Sequence, residues 1–598
     1  MSSVSGHSLP GVIAKPPGAR EWSLRAVIAG ILVAGIMGAS YPYVVLKLGF
    51  GPNVSVVAAF FGYLLLGILF RNFTRWENNI VQTAGTSAAQ TAFMCVILAA
   101  FDLLSQAPGS DYQFAPSVLE SFLWLTFASI LGILLAVPLR RHYVEEEGLT
   151  YADGVAAAET IMVLDARGKE ARQAAVALFV ATLASALVWF LTTKWGGRLF
   201  DVALTGDGAQ PGVLPEVLFA TMGGLAAAAT GAGFSVSLLG IGSGMIVGNR
   251  VNISMAIGGV IAWIIAPRFL VPDIVESAAR GKILLWIMWP GTGMLIAGGL
   301  TALVLKWRTL ARSFSTMSGK SVQSGDLSLR WIAIGATGAS IALVILQYAF
   351  FDLPIWMTTI AILLSVPLML VGLRVLGETN WGPISQLTNM MQAVFAGLMP
   401  GNLTANLAAS GTTGTIAVQS EAIMQDYKAG HIIGSTPRFL TYSQLIAAPV
   451  GALAVALVYP ALRDLYGVGG DGLASPISIR IAGFADVLSK GFDALPAHAL
   501  TFMVIGAIAG IVIALGEALV PGGKKWLPSA TGLGIGMMVP GSVVFVMVLG
   551  GILMSLWSRL DRSSADRLGM PLASGLIAGE AVMAIIIPAL IALHLVSP

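Results

Sequence analysis

The sequence has little of what most enzymes and disulfide-linked proteins depend on. Only one of its 598 residues is a cysteine, Cys95, so the chain can form no internal disulfide bond and no cysteine zinc cluster. The five histidines are scattered without metal-binding spacing. Charged residues make up only 11% of the chain, whereas a soluble domain has about 25%. These shortages argue against a soluble protein and against a thiol or histidine metal centre.

The sequence also lacks the common catalytic and nucleotide-binding motifs. It contains no H-E-x-x-H zinc motif, no G-x-x-x-x-G-K-[ST] phosphate loop and no G-x-S-x-G nucleophile elbow. We therefore expect that the protein is not an enzyme and needs no cofactor. ATP-driven pumping within this chain is disfavoured for the same reason, which leaves an ion gradient or the gradient of the solute as the energy source for transport.

What the chain has in abundance is apolar length. Hydrophobic residues make up 56% of it, and its 70 glycines and 28 prolines are typical of membrane helices that pack closely or break. Apolar runs of roughly 17–25 residues are long enough to cross a bilayer. The predicted spans are 24–46, 53–70, 80–104, 117–138, 171–192, 215–233, 251–267, 283–305, 331–350, 354–375, 403–424, 440–461, 498–519, 529–556 and 571–595.

Three shorter or glycine-broken pieces, 150–164, 234–248 and 383–399, are predicted to be half-helices that enter and leave the membrane by one face. We therefore predict an all-α polytopic membrane protein. It should have about 16 transmembrane helices in two pseudo-symmetric halves, with several broken or re-entrant helices.

Loop charge predicts the orientation. The segment 102–116 carries Asp102 and Asp111 and no basic residue. The N-terminal tail and the predicted loops near residues 71–75 and 140–141 are basic instead. This alternation is the positive-inside pattern and predicts a cytoplasmic N-terminus. No hydrophobic core with a cleavage site precedes the first span, so we expect no signal peptide. The basic residues are Lys15, Arg20 and Arg25 in the tail, Arg71 and Arg75, and Arg140 and Arg141.

A polar, basic segment at 306–330 predicts a cytoplasmic linker between two membrane halves. We expect a cytoplasmic tail at 1–23, an N-terminal half at 24–305 and a C-terminal half at 331–598. An internal repeat supports this division, since Leu-Gly-Ile-Gly occurs at 239–242 and again at 533–536, each followed by a Met-x-x-Gly-Gly motif. Both halves begin inside, which implies parallel repeats.

The segment 400–438 is unusually polar for a stretch among apolar helices. Such side chains are unfavourable facing lipid and should face protein or a water-filled cavity. We interpret the segment as one wall of a polar pathway, and the alternative is that its small polar residues only join helices together. Its candidate substrate-binding residues are Asn402, Asn406, Ser410 and Gln419.

A counterpart of the polar segment 400–438 begins at Trp76 in the first half of the chain. Asn78, Gln82 and Gly85 follow i, i+4, i+7 spacing and share one helix face, with Thr83 beside them. Amides both donate and accept hydrogen bonds, which suits a peptide-like solute. The alternative is a helix start at which Asn78 caps the helix and Glu77 complements its dipole.

Three carboxylates are candidates for proton coupling. Glu580 lies well inside the last predicted span, Glu421 at the end of the polar segment, and Glu159 in the short piece 150–164. A carboxyl group at membrane depth is a natural proton carrier. The alternative for each is a static ion pair or a water-facing helix end. We expect Glu580→Gln to impair proton-driven accumulation more than equilibrium exchange.

Two aromatic sites complete the candidates. Pro42 should interrupt the first span beside Tyr41 and free backbone groups for coordination, although an interfacial aromatic belt explains the same residues. Trp381 lies in a Gly-Glu-Thr-Asn-Trp-Gly-Pro segment that looks like a re-entrant loop, where it could pack on a ligand or sit at headgroup level.

Several of these segments together resemble the oligopeptide transporter (OPT) family, and the likeness extends from about residue 25 to 595. One departure is Tyr151-Ala152-Asp153-Gly154, where some members show Tyr-Pro-x-Gly. The matching pieces are Glu77-Asn78-Asn79-Ile80-Val81-Gln82-Thr83, Thr379-Asn380-Trp381-Gly382-Pro383, Gln425-Asp426-Tyr427-Lys428-Ala429-Gly430 with Pro437-Arg438, and Gly575-Leu576-Ile577-Ala578-Gly579-Glu580.

The resemblance implies a secondary transporter that imports small peptides or peptide conjugates with protons. An alternative within the same fold is uptake of metal–chelate complexes, in which amides and carboxylates bind the chelator. A channel or a membrane enzyme ranks lower, since no catalytic constellation is present. Short loops suggest a prokaryotic member in the bacterial inner membrane. The expected partners are the solute, protons and lipid, with a homodimer as an assembly to test, and no nucleic acid.

Overall fold

Helices form almost all of the regular structure in the computed structural model. It describes residues 15–16, 18–48, 54–70, 73–106, 112–165, 169–193, 197, 213–214, 217–218, 221–222, 225–226, 234–270, 280–305, 325–469, 473, 475–491, 496–520 and 523–592.

The first half of the chain supplies helices α1 to α11. They are α1 Leu24–Leu48, α2 Ser55–Leu69, α3 Arg75–Phe93, α4 Cys95–Ser105, α5 Val118–Ala136, α6 Ala152–Asp165, α7 Lys169–Thr192, α8 Leu238–Val247, α9 Asn249–Val260, α10 Ala266–Leu270 and α11 Arg280–Leu305. A 3-10 turn at Val137–Leu139 and a π-helix at Arg141–Glu146 follow α5, and a π-helix at Ile261–Ile265 joins α9 to α10.

The second half supplies α12 to α22. They are α12 Leu329–Phe350, α13 Ile355–Thr379, α14 Ile384–Leu398, α15 Leu403–Ile433, α16 Pro437–Tyr466, α17 Pro476–Ser489, α18 Ala499–Leu519, α19 Gly523–Trp526, α20 Ala530–Met538, α21 Gly541–Leu560 and α22 Arg562–Ala592.

The prediction of an all-α polytopic membrane protein is confirmed at that level. Within the described residues, ten helices are long and apolar enough to cross a membrane. The count of about 16 is not confirmed by this measure, because several helices, including the polar α15, do not meet it. All three predicted half-helices form short helices, α6, α8 and α14.

The predicted span 215–233 is wrong where the structure describes it. Its described residues form two-residue strands, β1 Val217–Leu218, β2 Thr221–Met222 and β3 Leu225–Ala226, and β4 Phe234–Ser235 follows. β1 pairs antiparallel with β4, and β2 with β3.

Helix α15 lies at the centre of the fold. It packs against α3, α5, α6, α13 and α14, and every residue from Ala405 to Gly430 is buried. The helix begins at the Asn402 side chain, which accepts a hydrogen bond from the Ala405 amide, and it ends at Gly434 in the left-handed conformation. Its 31 residues extend about 46 Å. Protein therefore surrounds α15 on all sides, which explains why its polar residues are tolerated.

The repeated glycine motifs pack against each other. α8 packs against α21, and α9 packs against α20. The short helices α8 and α20 both begin after a serine, Ser237 and Ser529. The side chain of each serine accepts a hydrogen bond from a backbone N–H in the first turn of its helix. A Cβ at Gly244 would overlap the carbonyl oxygen of Met547, and one at Gly536 would overlap that of Met255. The repeated glycines thus allow the same close approach of helices in the α8–α21 pair and in the α9–α20 pair.

We expect Gly244→Ala and Gly536→Ala each to destabilise the protein by about 1–3 kcal/mol, the usual effect of overpacking a rigid core. Backbone atoms surround both positions and cannot move aside as a flexible side chain can. The melting temperature of the detergent-purified protein measures the change. Gly483→Ala in α17 is the matched control, since no atom lies within 4 Å of the added Cβ. Equal melting temperatures for all three variants would contradict the proposed packing constraint.

The segments predicted to be cytoplasmic meet at one end of the molecule. Arg140 donates two hydrogen bonds to the Asp326 carboxylate, at 2.7 and 2.8 Å. The Arg438 amide donates to the Gly325 carbonyl at 3.0 Å. In the tail, Glu21 pairs with Lys15 and accepts the Thr436 amide at 2.6 Å. These contacts place the tail, the α5 end and the α15–α16 turn on the same side. Most of the predicted linker, 306–324, lies outside the described residues.

Candidate functional site

A buried carboxylate in the C-terminal half of α15 joins three helices. Asp426 is 1% exposed. Its Oδ1 accepts a hydrogen bond from Gln82 Nε2 of α3 and its Oδ2 accepts one from Gln444 Nε2 of α16, each at 2.6 Å. Gln82 Oε1 accepts a further bond from Asn79 Nδ2 at 2.8 Å. The cluster holds a polar group inside the helix bundle through side-chain amides from both halves of the chain.

A second polar cluster lies two turns along α15. Gln419 Nε2 donates to the Ser87 carbonyl at 2.9 Å and to Thr91 Oγ1 at 2.6 Å, both in α3. Its Oε1 accepts from Ser87 Oγ at 3.3 Å. The predicted amide residues Gln82 and Gln419 therefore line the same α3–α15 contact, as the pairing of the two polar segments implied.

A third cluster lies nearer the other end of α15. Thr412 Oγ1 accepts bonds from Trp124 Nε1 at 3.0 Å and Gln347 Nε2 at 2.9 Å. Gln347 Oε1 in turn accepts from Thr358 Oγ1 at 2.7 Å. Polar contacts therefore follow α15 over much of its length, which fits both the polar-pathway interpretation and the alternative of helices joined by hydrogen bonds.

The Glu421 carboxylate differs from these clusters because it makes no hydrogen bond or ion pair with any residue that the structure describes. Glu421 is 5% exposed, and its Oε1 is buried without a partner. The carboxylate lies against the α13–α14 turn, where a Cβ at Gly382 would overlap it and a Cβ at Gly372 would lie 3.1 Å from Oε1. An unpaired carboxylate in the protein interior is unfavourable in its charged form, which makes Glu421 the strongest candidate for binding a proton or a cationic group.

Glu159 is the second unpaired carboxylate in the described part of the chain. It lies in α6 and is 8% exposed. α6 packs against α15 and α22. The start of α6 is fixed by the α13–α14 turn, against which the Glu421 carboxylate also lies. Asn380 Nδ2 in this turn donates to Asp153 Oδ1 at 2.7 Å, and Asn380 Oδ1 accepts the Asp153 amide at 3.1 Å. The Asp153 carboxylate and amide therefore join the start of α6 to this turn.

Glu580 is bound at a helix start. Its Oε2 accepts bonds from Ser237 Oγ at 2.8 Å and from the Leu239 amide at 3.2 Å. These groups open α8, where the helix dipole favours a negative charge. The geometry favours a static anchoring role for Glu580 through hydrogen bonds, which is neither the ion pair nor the water-facing helix end that the sequence suggested as alternatives to proton coupling.

Asn78, Thr83 and Ser410 are buried polar residues with an unpaired oxygen in the described structure. Asn78 does not cap α3, because Thr74 does so in a capping box with Glu77. Its Oδ1 points at α2, where a Cβ on Gly62 would overlap it. These oxygens are available to hydrogen-bond a solute or water, but no described contact joins the three residues.

Asn402 and Asn406 lie at the start of α15, away from Gln419 and Glu421. Asn402 is exposed and caps α15. Asn406 Nδ2 donates to the Gln392 carbonyl at 2.8 Å. Asn406 precedes Gln419 by 13 residues, or about 20 Å along the helix. Described contacts do not bring Asn78, Asn406 and Glu580 together, so a single site containing all predicted residues is not supported.

The aromatic candidates are both packed against protein. α1 continues through Pro42 to Leu48, and Tyr41 is 1% exposed. Neither a broken first span nor a lipid-facing aromatic belt describes this site. Trp381 is half-buried in the turn beside Glu421, and its amide donates to Thr379 Oγ1 at 3.2 Å.

Sequence reasoning missed Asp426, Gln444, Ser87 and Thr91 as members of the polar clusters. In the sequence, Asp426 stood out only as part of the Gln425–Gly430 motif that resembles the family. Its i, i+7 spacing from Gln419 was available in the sequence and would have placed both on the α3-facing side of one helix.

Comparison with known proteins gives a consistent result over the whole chain. A family model described as OPT oligopeptide transporter protein matches residues 21–591. The chain is 25% identical over 630 residues to probable metal-nicotianamine transporter YSL10 of Oryza sativa subsp. japonica, covering 94% of the chain and 90% of that protein. It is 25% identical to metal-nicotianamine transporter YSL3 of Arabidopsis thaliana, with the same coverage. It is also 25% identical to metal-nicotianamine transporter YSL2 of Arabidopsis thaliana, covering 98% of the chain and 95% of that protein.

Proposed function

The chain belongs to the OPT oligopeptide transporter family, and on that premise we propose that it moves metal–chelate complexes across a membrane. It is a transporter and not an enzyme. The relatives that cover nearly its whole length are named as metal-nicotianamine transporters. They favour the chelate alternative over peptide import, which was our leading prediction.

The observation that carries the proposal is the unpaired Glu421 carboxylate inside the central helix. It lies beside the half-buried Trp381 turn and on the helix that carries the Gln419 and Asp426 clusters. A chelator such as nicotianamine presents amines and carboxylates, which unpaired carboxylates and amides can bind through charge-assisted hydrogen bonds. The metal ion then stays with its chelator and needs no ligand from the protein.

Proton coupling is part of the proposal. The chain has no nucleotide-binding motif, and Glu421 and Glu159 are carboxyl groups without a cation partner among the described residues. A buried carboxyl group that gains and loses a proton as it moves between two exposures can link transport to a proton gradient. We assign this role to Glu421 first and Glu159 second, with Glu580 third because of its bonds to Ser237 and Leu239.

Import of small peptides or peptide conjugates is the second candidate. The description of the family model favours it, and the amides Gln82 and Gln419 suit a solute with both N–H and C=O groups. The residues proposed to contact either solute are the same: Asn78, Gln82, Thr83, Tyr41, Trp381, Asn402, Asn406, Ser410 and Gln419. The positions of Asn402 and Asn406 favour an entrance role for these two.

Uptake into proteoliposomes tests the two candidates. We expect iron–nicotianamine and zinc–nicotianamine to accumulate under an inward proton gradient, with saturation, and free iron or zinc to enter at the rate of protein-free liposomes. Labelled tri- to pentapeptides provide the comparison. Accumulation of peptides without accumulation of chelates would favour the second candidate, and gradient-independent passage without saturation would indicate a channel.

Orientation and placement stay predictions. We propose a cytoplasmic N-terminus from the basic loops, with 24–305 and 331–598 as the two membrane halves and 306–330 as their linker. The short loops favour a prokaryotic protein of the bacterial inner membrane. A homodimer is the assembly to test by cross-linking in membranes.

A further inference from the structure

Lys428 is a buried cation with no partner among the residues that the structure describes. It lies in α15 and is 3% exposed. It makes no hydrogen bond or ion pair with any residue in the described part of the chain. By contrast, Lys15 pairs with Glu21 and Lys490 pairs with Asp486 at 2.7 Å. A lysine placed among packed helices without an anion is unfavourable unless an anion is supplied from elsewhere.

The position of Lys428 connects it to the proposed site. Glu421, Gln425 and Lys428 are spaced i, i+4, i+7 on α15 and therefore share one face. This face packs against the first turn of α6, where a Cβ on Gly154 would lie 3.1 Å from Lys428 Cβ. Gln425 is 7% exposed, and its side-chain amide also makes no hydrogen bond within the described residues.

The nearby charged groups are already engaged or carry the same sign. Asp426 accepts bonds from Gln82 and Gln444. Asp153 is bound to Asn380. His431 lies one turn further along α15 and can add only positive charge. The face therefore has an available amide about 6 Å, and an available cation about 10 Å, along the helix axis from residue 421.

We infer that Lys428, with Gln425 beside it, binds a carboxylate of the transported solute, so that the site selects solutes with an exposed carboxylate. The inference rests on the proposed function, and it names the chemical group that the solute must carry. It applies to a chelator and to a peptide with a free C-terminus alike. An ammonium–carboxylate hydrogen bond is lost when the carboxylate becomes an amide, and the loss of one such charge-assisted bond weakens binding by about 10- to 100-fold.

The test varies the solute first, so that it does not depend on a variant folding. Metal-free nicotianamine and trialanine are each compared with the same compound whose carboxylates are converted to amides. Binding to the purified protein is measured by calorimetry. We expect the wild type to bind the carboxylate form about 10- to 100-fold more tightly in at least one of the two pairs. A ratio near one in both pairs would overturn the inference.

Two variants then assign the preference to Lys428. We expect Lys428→Met to abolish the difference between carboxylate and amide forms, and Lys428→Arg to retain a measurable part of it. Lys490→Met, which removes one exposed positive charge, is the control and should leave the ratio unchanged. If Lys428→Met weakens both forms equally, or leaves the ratio unchanged, the residue is structural and the inference is wrong.

The outcomes separate the inference from the proposed function. If proteoliposomes take up no nicotianamine complex but the trialanine pair shows the expected ratio and Lys428→Met abolishes it, the proposed solute is wrong and the role of Lys428 stands. If chelates are taken up and neither ratio depends on Lys428, the proposed function stands and the role of Lys428 is wrong.

Discussion

Glu421→Gln is expected to lower proton-driven accumulation of the transported solute by about tenfold or more, equivalent to ~1.4 kcal/mol, while solute exchange at equilibrium, which needs solute binding but no net proton transfer, falls less. The reason is that a glutamine fills the same space beside Gly382 and Gly372 but cannot take up or release a proton. Accumulation and counterflow in the same proteoliposome preparation measure the two quantities.

The other two carboxylates serve as comparisons for Glu421. Glu159→Gln is expected to have a smaller effect of the same kind. Glu580→Gln is expected to lower the yield of folded protein, because the Glu580 carboxylate holds Ser237 and the Leu239 amide at the start of α8. If Glu580→Gln alone uncouples accumulation from exchange, the proton carrier is Glu580 and the assignment to Glu421 is wrong.

Asp426→Leu is expected to destabilise the protein by roughly 1–3 kcal/mol for each of the two amides that lose their acceptor. Gln82 and Gln444 donate to opposite oxygens of this carboxylate, and both residues are fully buried. Leucine has the same branched shape but is larger than aspartate, so the loss reports unsatisfied hydrogen-bond donors and overpacking and not a cavity. The melting temperature of the purified protein and its folded yield measure the effect.

Asp426→Asn is the matched variant for this test. Its side chain keeps one acceptor and gains a donor, so one of the two amides must rotate to present its oxygen. We therefore expect a loss of stability smaller than that of Asp426→Leu. A leucine variant as stable as wild type would mean that the cluster does not hold α3, α15 and α16 together.

The polar residues of α15 illustrate how far the sequence could predict the site. Polarity in 400–438 was enough to predict that this helix is surrounded by protein, and Gln82 and Gln419 do meet at one helix contact. The sequence could not show which polar groups satisfy one another. Asp426 accepts bonds from two side-chain amides, whereas Glu421, five residues earlier, has no partner among the described residues. The difference depends on which neighbouring helix each side chain faces, and the sequence does not specify that.

Composition and periodicity alone determined that the chain is a helical membrane protein, that it is not one of the common enzymes, and where its short helices lie. Those properties follow from the free-energy cost of exposing polar groups to lipid, and this cost depends only on the residues of each segment. Tertiary structure decided that Glu580 binds the start of α8, that Asn402 is a helix cap, and that Glu421 and Lys428 find no partner in the described part of the chain. Those outcomes depend on contacts between segments hundreds of residues apart, and no local pattern specifies them.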